Sequence, residues 1–215
     1  MSDLSKGKSL FKNQQFNDAI KALTIFLSNE DNNADALYMR AISYRKVGEF
    51  EKSISDLSTM LERLPNEPSL LSERGVSHFH NKNIEAAMKD MDKAVELEPN
   101  KPYRYASRAY IRANIDIEGA IEDYKKAIEL DPNDDIAHNN LALLEENAGR
   151  MSSAKNHFDV ANKIIGYDPR RKDENTTSIN KSSDSIGKIM LEVFTSKKTR
   201  KEYLNFLKSF FKKGI

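Results

Sequence analysis

The sequence predicts an all-α solenoid of five helix-turn-helix units, and three observations predict it. Small residues recur at a long fixed period: Gly7, Ala41, Gly75, Ala109 and Ala142 stand 34, 34, 34 and 33 residues apart. A second small series, Ala19, Ser53, Ala87, Ala120 and Ala154, keeps the same intervals. Large apolar residues follow the second series at helical spacing, as in Leu23 and Phe26 or Leu57 and Met60. Self-similarity at such a period marks a repeat architecture, and a recurring small side chain marks a close helix-helix contact.

The first unit places Gly7 on one helix and Ala19, Leu23 and Phe26 on the next, and closes near Asp31. The second carries Ala41, turns at Val47-Gly48-Glu49, continues through Ser53, Leu57 and Met60, and stops at Leu64-Pro65-Asn66. Gly75 and then Ala87, Met91 and Ala94 build the third, which stops at Glu98-Pro99-Asn100. Ala109, then Ala120, Tyr124 and Ala127, build the fourth, which stops at Asp131-Pro132-Asn133. The fifth runs from Ala142 through the turn Ala148-Gly149-Arg150 to Ala154, Phe158 and Ala161, and ends at Gly166. The two small residues lie 12 apart in every unit but the fourth, where Ala109 and Ala120 lie 11 apart. One residue is therefore missing near Asn114-Ile115-Asp116.

These residues resemble the tetratricopeptide repeat family, whose 34-residue pattern joins a small residue, a turn, alanine, a bulky residue, alanine and a closing proline. The resemblance covers residues 1–168 as five repeats. Phe26 in place of the later alanine, and Asp31 and Gly166 in place of the closing proline, are departures of the kind expected in terminal repeats. The resemblance implies a right-handed superhelix whose first helices line a concave groove that binds a peptide or helix of a partner. The repeat phase then turns Tyr38, Ile42 and Arg45 toward that groove, with Lys8 and Phe11 before them. Val76 and Phe79, Tyr103 and Tyr110, and Asn139 and Leu143 follow. Ile42, Val76, Tyr110 and Leu143 form a row with one apolar residue per repeat, which a solvated face would not need.

The family's carboxylate clamp for acidic chaperone tails finds no match in any of three registers, and Glu73 would repel such a ligand. Binding of that class is not expected. Arg104, Arg108 and Arg112 form a basic ridge on one helix, read chiefly as salt-bridged to acidic neighbours. The acidic residues from Glu118 to Asp135, Asp123 among them, read as a solvated face.

Enzyme chemistry finds no foothold. There is no cysteine and no glycine-rich phosphate loop, and the serines lack an activating histidine. His78 and His80 lie two apart on a helix and point apart, so they do not chelate a metal; His138 sits at a core-facing place. No cofactor or metal is expected.

Residues 169–185 read as a flexible polar linker. Residues 186–215 read as a basic amphipathic helical segment with Ile189 and Val193 on one apolar face and Phe206 and Phe210 on another. Eight basic residues against Glu192 and Glu202 give this segment +6; with +1 in the linker and +1 overall, the repeat region carries −6. The expected protein is a non-catalytic, cytoplasmic scaffold or adaptor whose C-terminal segment caps or gates the groove. The alternative is a peripheral membrane protein anchored by that segment on an anionic surface. Nucleic acid is not an expected partner, because the basic residues come without a reading motif.

Overall fold

The computed structural model describes residues 3–167, and the linker and C-terminal segment lie outside the described residues. Every regular element among the described residues is a helix: α1 (Asp3–Lys12), α2 (Phe16–Leu27), α3 (Ala34–Lys46), α4 (Phe50–Arg63), α5 (Pro68–His80), α6 (Ile84–Leu97), α7 (Pro102–Arg112), α8 (Ile117–Leu130), α9 (Asp135–Asn147) and α10 (Met151–Ile164). They form five antiparallel hairpins, each packed on the next, as the 34-residue period predicts. The first helices of neighbouring repeats also touch, α1 with α3 and α5 with α7, so the stack closes on the side of the odd-numbered helices.

Close approach inside each hairpin explains the small residues. Ala19, Ala41, Ser53, Ala87, Ala109, Ala120 and Ala142 are wholly buried. A β-carbon on Gly7 would stand 2.6 Å from Leu23, and one on Gly75 would stand 3.2 Å from the Ala87 carbonyl oxygen. Around these contacts lie three apolar clusters: one runs from Ala19 to Ala94 through the first three repeats, a small one joins Ala87, Met91 and Ile111, and a third spans Ala109 to Leu141.

Local chemistry sets the ends of the helices. Asn33, Asn83, Asp116 and Asp134 each accept a backbone N–H of the turn they cap, from Ala36, Ala86, Gly119 and Ala137. Pro68 and Pro102 open α5 and α7, where the missing N–H costs nothing. The corner between paired helices uses a left-handed residue at Gln14 (φ 59°), Gly48 (φ 87°), Lys82 (φ 64°) and Gly149 (φ 75°). The fourth repeat has no such residue, and α7 ends at Arg112 after 11 residues. The residue missing from the sequence is therefore the left-handed corner itself. In its place the Arg112 and Asp116 side chains pair across Gly119, where a β-carbon would lie 2.1 Å from the guanidinium carbon.

A second periodic device holds repeat to repeat. Arg40, Arg74 and Arg108 stand at intervals of 34, and each grips an aspartate on the second helix of its own repeat in bidentate fashion: Asp56, Asp90 and Asp123. The remaining guanidinium nitrogen of each reaches back to the preceding repeat, to Thr24 at 3.3 Å, Ser58 at 3.2 Å and Asp92 at 2.9 Å. The three aspartates are buried, so Asp123 does not belong to a solvated acidic face, as the sequence reading had it. The basic ridge is paired as expected: Arg104 is buried against Glu98, Ser72 and Ser69, and Arg112 pairs with Asp116.

Two stability predictions follow from this packing. Ala87→Leu forces extra methylenes into the α5/α6 contact and should cost about 1–3 kcal/mol in a denaturant melt. Asp90→Ala leaves the Arg74 guanidinium short of its anion and should cost about 2–3 kcal/mol, whereas replacing both partners by apolar residues of similar volume should cost much less. A double-mutant cycle at 74 and 90 measures the difference, and additive single effects would contradict the pairing.

Candidate protein-interaction groove

The concave side divides into two halves of different chemistry. In the first, Lys8 on α1 pairs with Asp35 on α3 at 2.7 Å. Tyr38 donates to Glu73 on α5 at 3.4 Å, and Arg45 pairs with the other oxygen of Glu73. Burial, and then the adjacent Glu73 carboxylate, holds the Tyr38 hydroxyl above its ordinary pKa. Glu73, which the sequence marks as a repulsive charge, is thus neutralised from α3. Tyr38 and Arg45 flank Ile42 on one helix face, and the bridge they make to Glu73 shields it. Ile42 is only 8% exposed. The expectation that it belongs to an open apolar row is corrected: Ile42 is wall, and Val76 beyond it is half-buried.

The second half is open. A cavity of about 290 Å³ is lined by Phe79 on α5, Tyr110, Ala113 and Asn114 at the end of α7, Tyr124 on α8, and Asn140, Leu143 and Leu144 on α9. Phe79 and Tyr110 meet edge to face, with centroids 5.6 Å apart. Tyr110 is 56% exposed and Leu143 45%, so the apolar row emerges only in repeats four and five. Tyr124 is buried in the floor, and burial pushes its pKa up to about 12.

Tyr103 lies farther out. It is half exposed, stacks on Arg104 at 4.5 Å and donates to Glu98. Asn139 is exposed on α9 beside the cavity residue Asn140. The structure thus brings Phe79, Tyr110 and Leu143 together at one cavity and leaves Tyr38, Ile42 and Arg45 in the closed half. The sequence reading missed Tyr124, Asn114 and Asn140 as groove residues. Tyr124 occupies the place held by Leu23, Leu57 and Met91 in the earlier repeats. A long aromatic with a hydroxyl at a position otherwise aliphatic was the available signal. The appended residues Ile189, Val193, Phe206 and Phe210 lie outside the described residues.

A larger hollow of about 860 Å³ lies on the second-helix side, between α6 and Ile115 in the shortened corner. Its rim mixes charges that are partly paired already, Lys93 with Glu96 and Asp92 with Arg108, so it offers no comparable apolar anchor.

The histidines are structural in placement. His138 is buried, with Nε2 3.2 Å from the Pro132 carbonyl and Nδ1 2.9 Å from Nδ1 of His157. His157 Nε2 stands 3.9 Å from Glu145, a buried carboxylate that accepts from Ser153. Among the described residues no three His, Asp or Glu side chains are arranged to hold a metal ion.

An all-helical stack of 34-residue hairpins with a concave, partly apolar inner face defines a helical-repeat interaction scaffold. A tetratricopeptide repeat model matches residues 4–45 and 38–102, and a TPR repeat model matches residues 116–149. The chain belongs to the tetratricopeptide repeat family. Residues 103–115, which lead into the shortened corner, fall in neither match. Among solved structures, a crystal structure of MamA is similar with a TM-score of 0.65 at 21% identity, over 74% of this chain and 94% of that one. A MamA fragment from Desulfovibrio magneticus RS-1, residue 41 to the end, gives 0.65 at 18% identity over 85% and 96%. At these identities the likeness is one of fold. No curated protein matches the chain significantly. Tetratricopeptide folds in general are non-catalytic scaffolds for protein partners, and no helix among the described residues is long and apolar enough to cross a membrane.

Burial holds the pKa of His78, His80 and His157 below the ordinary 6.5, with nearby Arg45, Lys82 and Lys46 adding to the effect at His80. The folded state therefore favours the neutral rings. Their contribution is fully present above about pH 6.5 and is lost as the pH falls through the lower folded values. Thermal melts from pH 7 to pH 5 should show a falling midpoint, and a midpoint that rises on acidification would contradict the prediction.

Proposed function

We propose that the protein is a non-catalytic scaffold or adaptor that holds a peptide or helix of a partner in the open half of its groove. One observation carries the reading: Tyr110 and Leu143 are large, apolar and about half exposed at the mouth of a preformed cavity floored by the buried Tyr124 and walled by the half-buried Phe79 and Leu144. Aromatic anchors in a concave, water-excluding site carry a disproportionate share of affinity. The buried arginine pairs support the same reading, because a rigid wall loses less conformational entropy when it binds.

The finer part of the proposal concerns residues 186–215. Their +6 charge against −6 in the repeats, joined by a linker of 17 residues, supports a cap or a gate formed within the chain. The absence of cysteine fits a cytoplasmic location.

The test is site-specific photo-crosslinking in the source cell. A photoreactive phenylalanine at position 110 should give a discrete cross-linked partner, and one at position 89 on the opposite side should not. Labelling that is equal at both positions would refute the groove. For the tail, a chain ending at Asp168 should capture more of that partner at an unchanged melting temperature if the segment gates, and should melt lower if it caps.

A further inference from the structure

We infer that the open half of the groove selects an uncharged, extended peptide segment, with one bulky apolar side chain seated against Phe79, Tyr110 and Tyr124 and its main chain held by asparagine amides. This inference rests on the proposed function and specifies the ligand of that same site.

The charge distribution comes first. In the closed half the ionic groups are already paired within the protein, Lys8 with Asp35 and Arg45 with Glu73. In the open half, none of the side chains lining the cavity carries a charge. A charged ligand group placed there loses water without gaining a counter-ion, which is unfavourable. A neutral segment loses much less.

Size comes second. Small-molecule sites occupy roughly 300–1,000 Å³, and this cavity, at about 290 Å³, lies at the lower limit. It takes one side chain rather than a compact ligand. Phe79, Tyr110, Leu143 and Leu144 give it apolar walls.

Hydrogen bonding comes third. A side-chain amide both donates and accepts, as each main-chain peptide group does. Asn140 lines the cavity, Asn139 and Asn147 stand exposed along α9, and Asn114, whose amide nitrogen donates to the Tyr110 and Ile111 carbonyls, offers its carbonyl oxygen. Asn140 is half-buried beside the Tyr124 floor, which limits its freedom.

The test selects peptides with the full-length protein from a random 12-residue phage library, counter-selecting against the Tyr110→Ala/Leu143→Ser double variant. Both residues are exposed, so the variant should keep its helical circular dichroism. Enriched sequences should share one large apolar residue within a neutral segment. A synthetic peptide of that sequence should bind with less than about a threefold change between 50 and 500 mM salt, since no ion pair is screened. Tyr110→Ala should weaken it about tenfold or more, in the range of an interface anchor. Enrichment of acidic or lysine-rich peptides, or a strong salt dependence, overturns the inference while leaving the groove as the site. Peptides that bind the double variant as well as the native protein overturn the inference and the groove reading together.

Discussion

Everything in this molecule depends on how closely two helices can approach at one point in each hairpin. Where Gly75 faces Ala87 an added β-carbon would stand 3.2 Å from the carbonyl oxygen, closer than ordinary contact, and at Gly7 it would stand 2.6 Å from the Leu23 side chain. Such closeness lets backbones pack with few voids, and it fixes the crossing of each pair before any larger side chain is placed. The apolar clusters and the groove inherit their geometry from that crossing. The arginine-aspartate pairs add a second fixed relation, from each repeat to the one before it, in the three middle repeats.

These two constraints explain why the inner face differs along its length. Where side chains of neighbouring first helices bridge directly, as Tyr38 and Arg45 do to Glu73, the surface satisfies itself. In repeats four and five no comparable ionic bridge crosses the inner stripe, and Tyr110 and Leu143 stay exposed. The cavity arises where α7 stops early and α8 contributes the tyrosine floor.

The hairpins were legible in the sequence because close helix contact favours a small residue at one point, repeated every 33 or 34 positions. The binding face was only partly legible. Helical phase assigns Ile42 to the groove face, but phase does not determine exposure, and Ile42 is buried beside the Tyr38 and Arg45 bridge to Glu73. The arginine pairs escaped notice for a related reason: Arg104, Arg108 and Arg112 stand out as neighbours on one helix, whereas the functional series is Arg40, Arg74 and Arg108 across three helices. Asn140 and Tyr124 lie on different helices and become neighbours only when α8 and α9 pack.

The arginine ties have a mechanical consequence. Repeats one and five lack them, with Lys6 and Ala22 at the corresponding places in the first and Leu141 and His157 in the last. Arg40 nonetheless holds the first repeat at Thr24, whereas the fifth is joined to the fourth by the exposed Arg150–Glu118 pair, so a chain pulled from its ends would shed its C-terminal hairpin first. Ionic strength would do little to soften the grips on Asp56, Asp90 and Asp123, because those carboxylates are buried, and would act on the exposed Asp92 and Glu118 instead. The open cavity sits across the boundary between the fourth repeat and the fifth, so tension on the C-terminal side would reach the Tyr110 and Leu143 contact before it reached the rest of the coil.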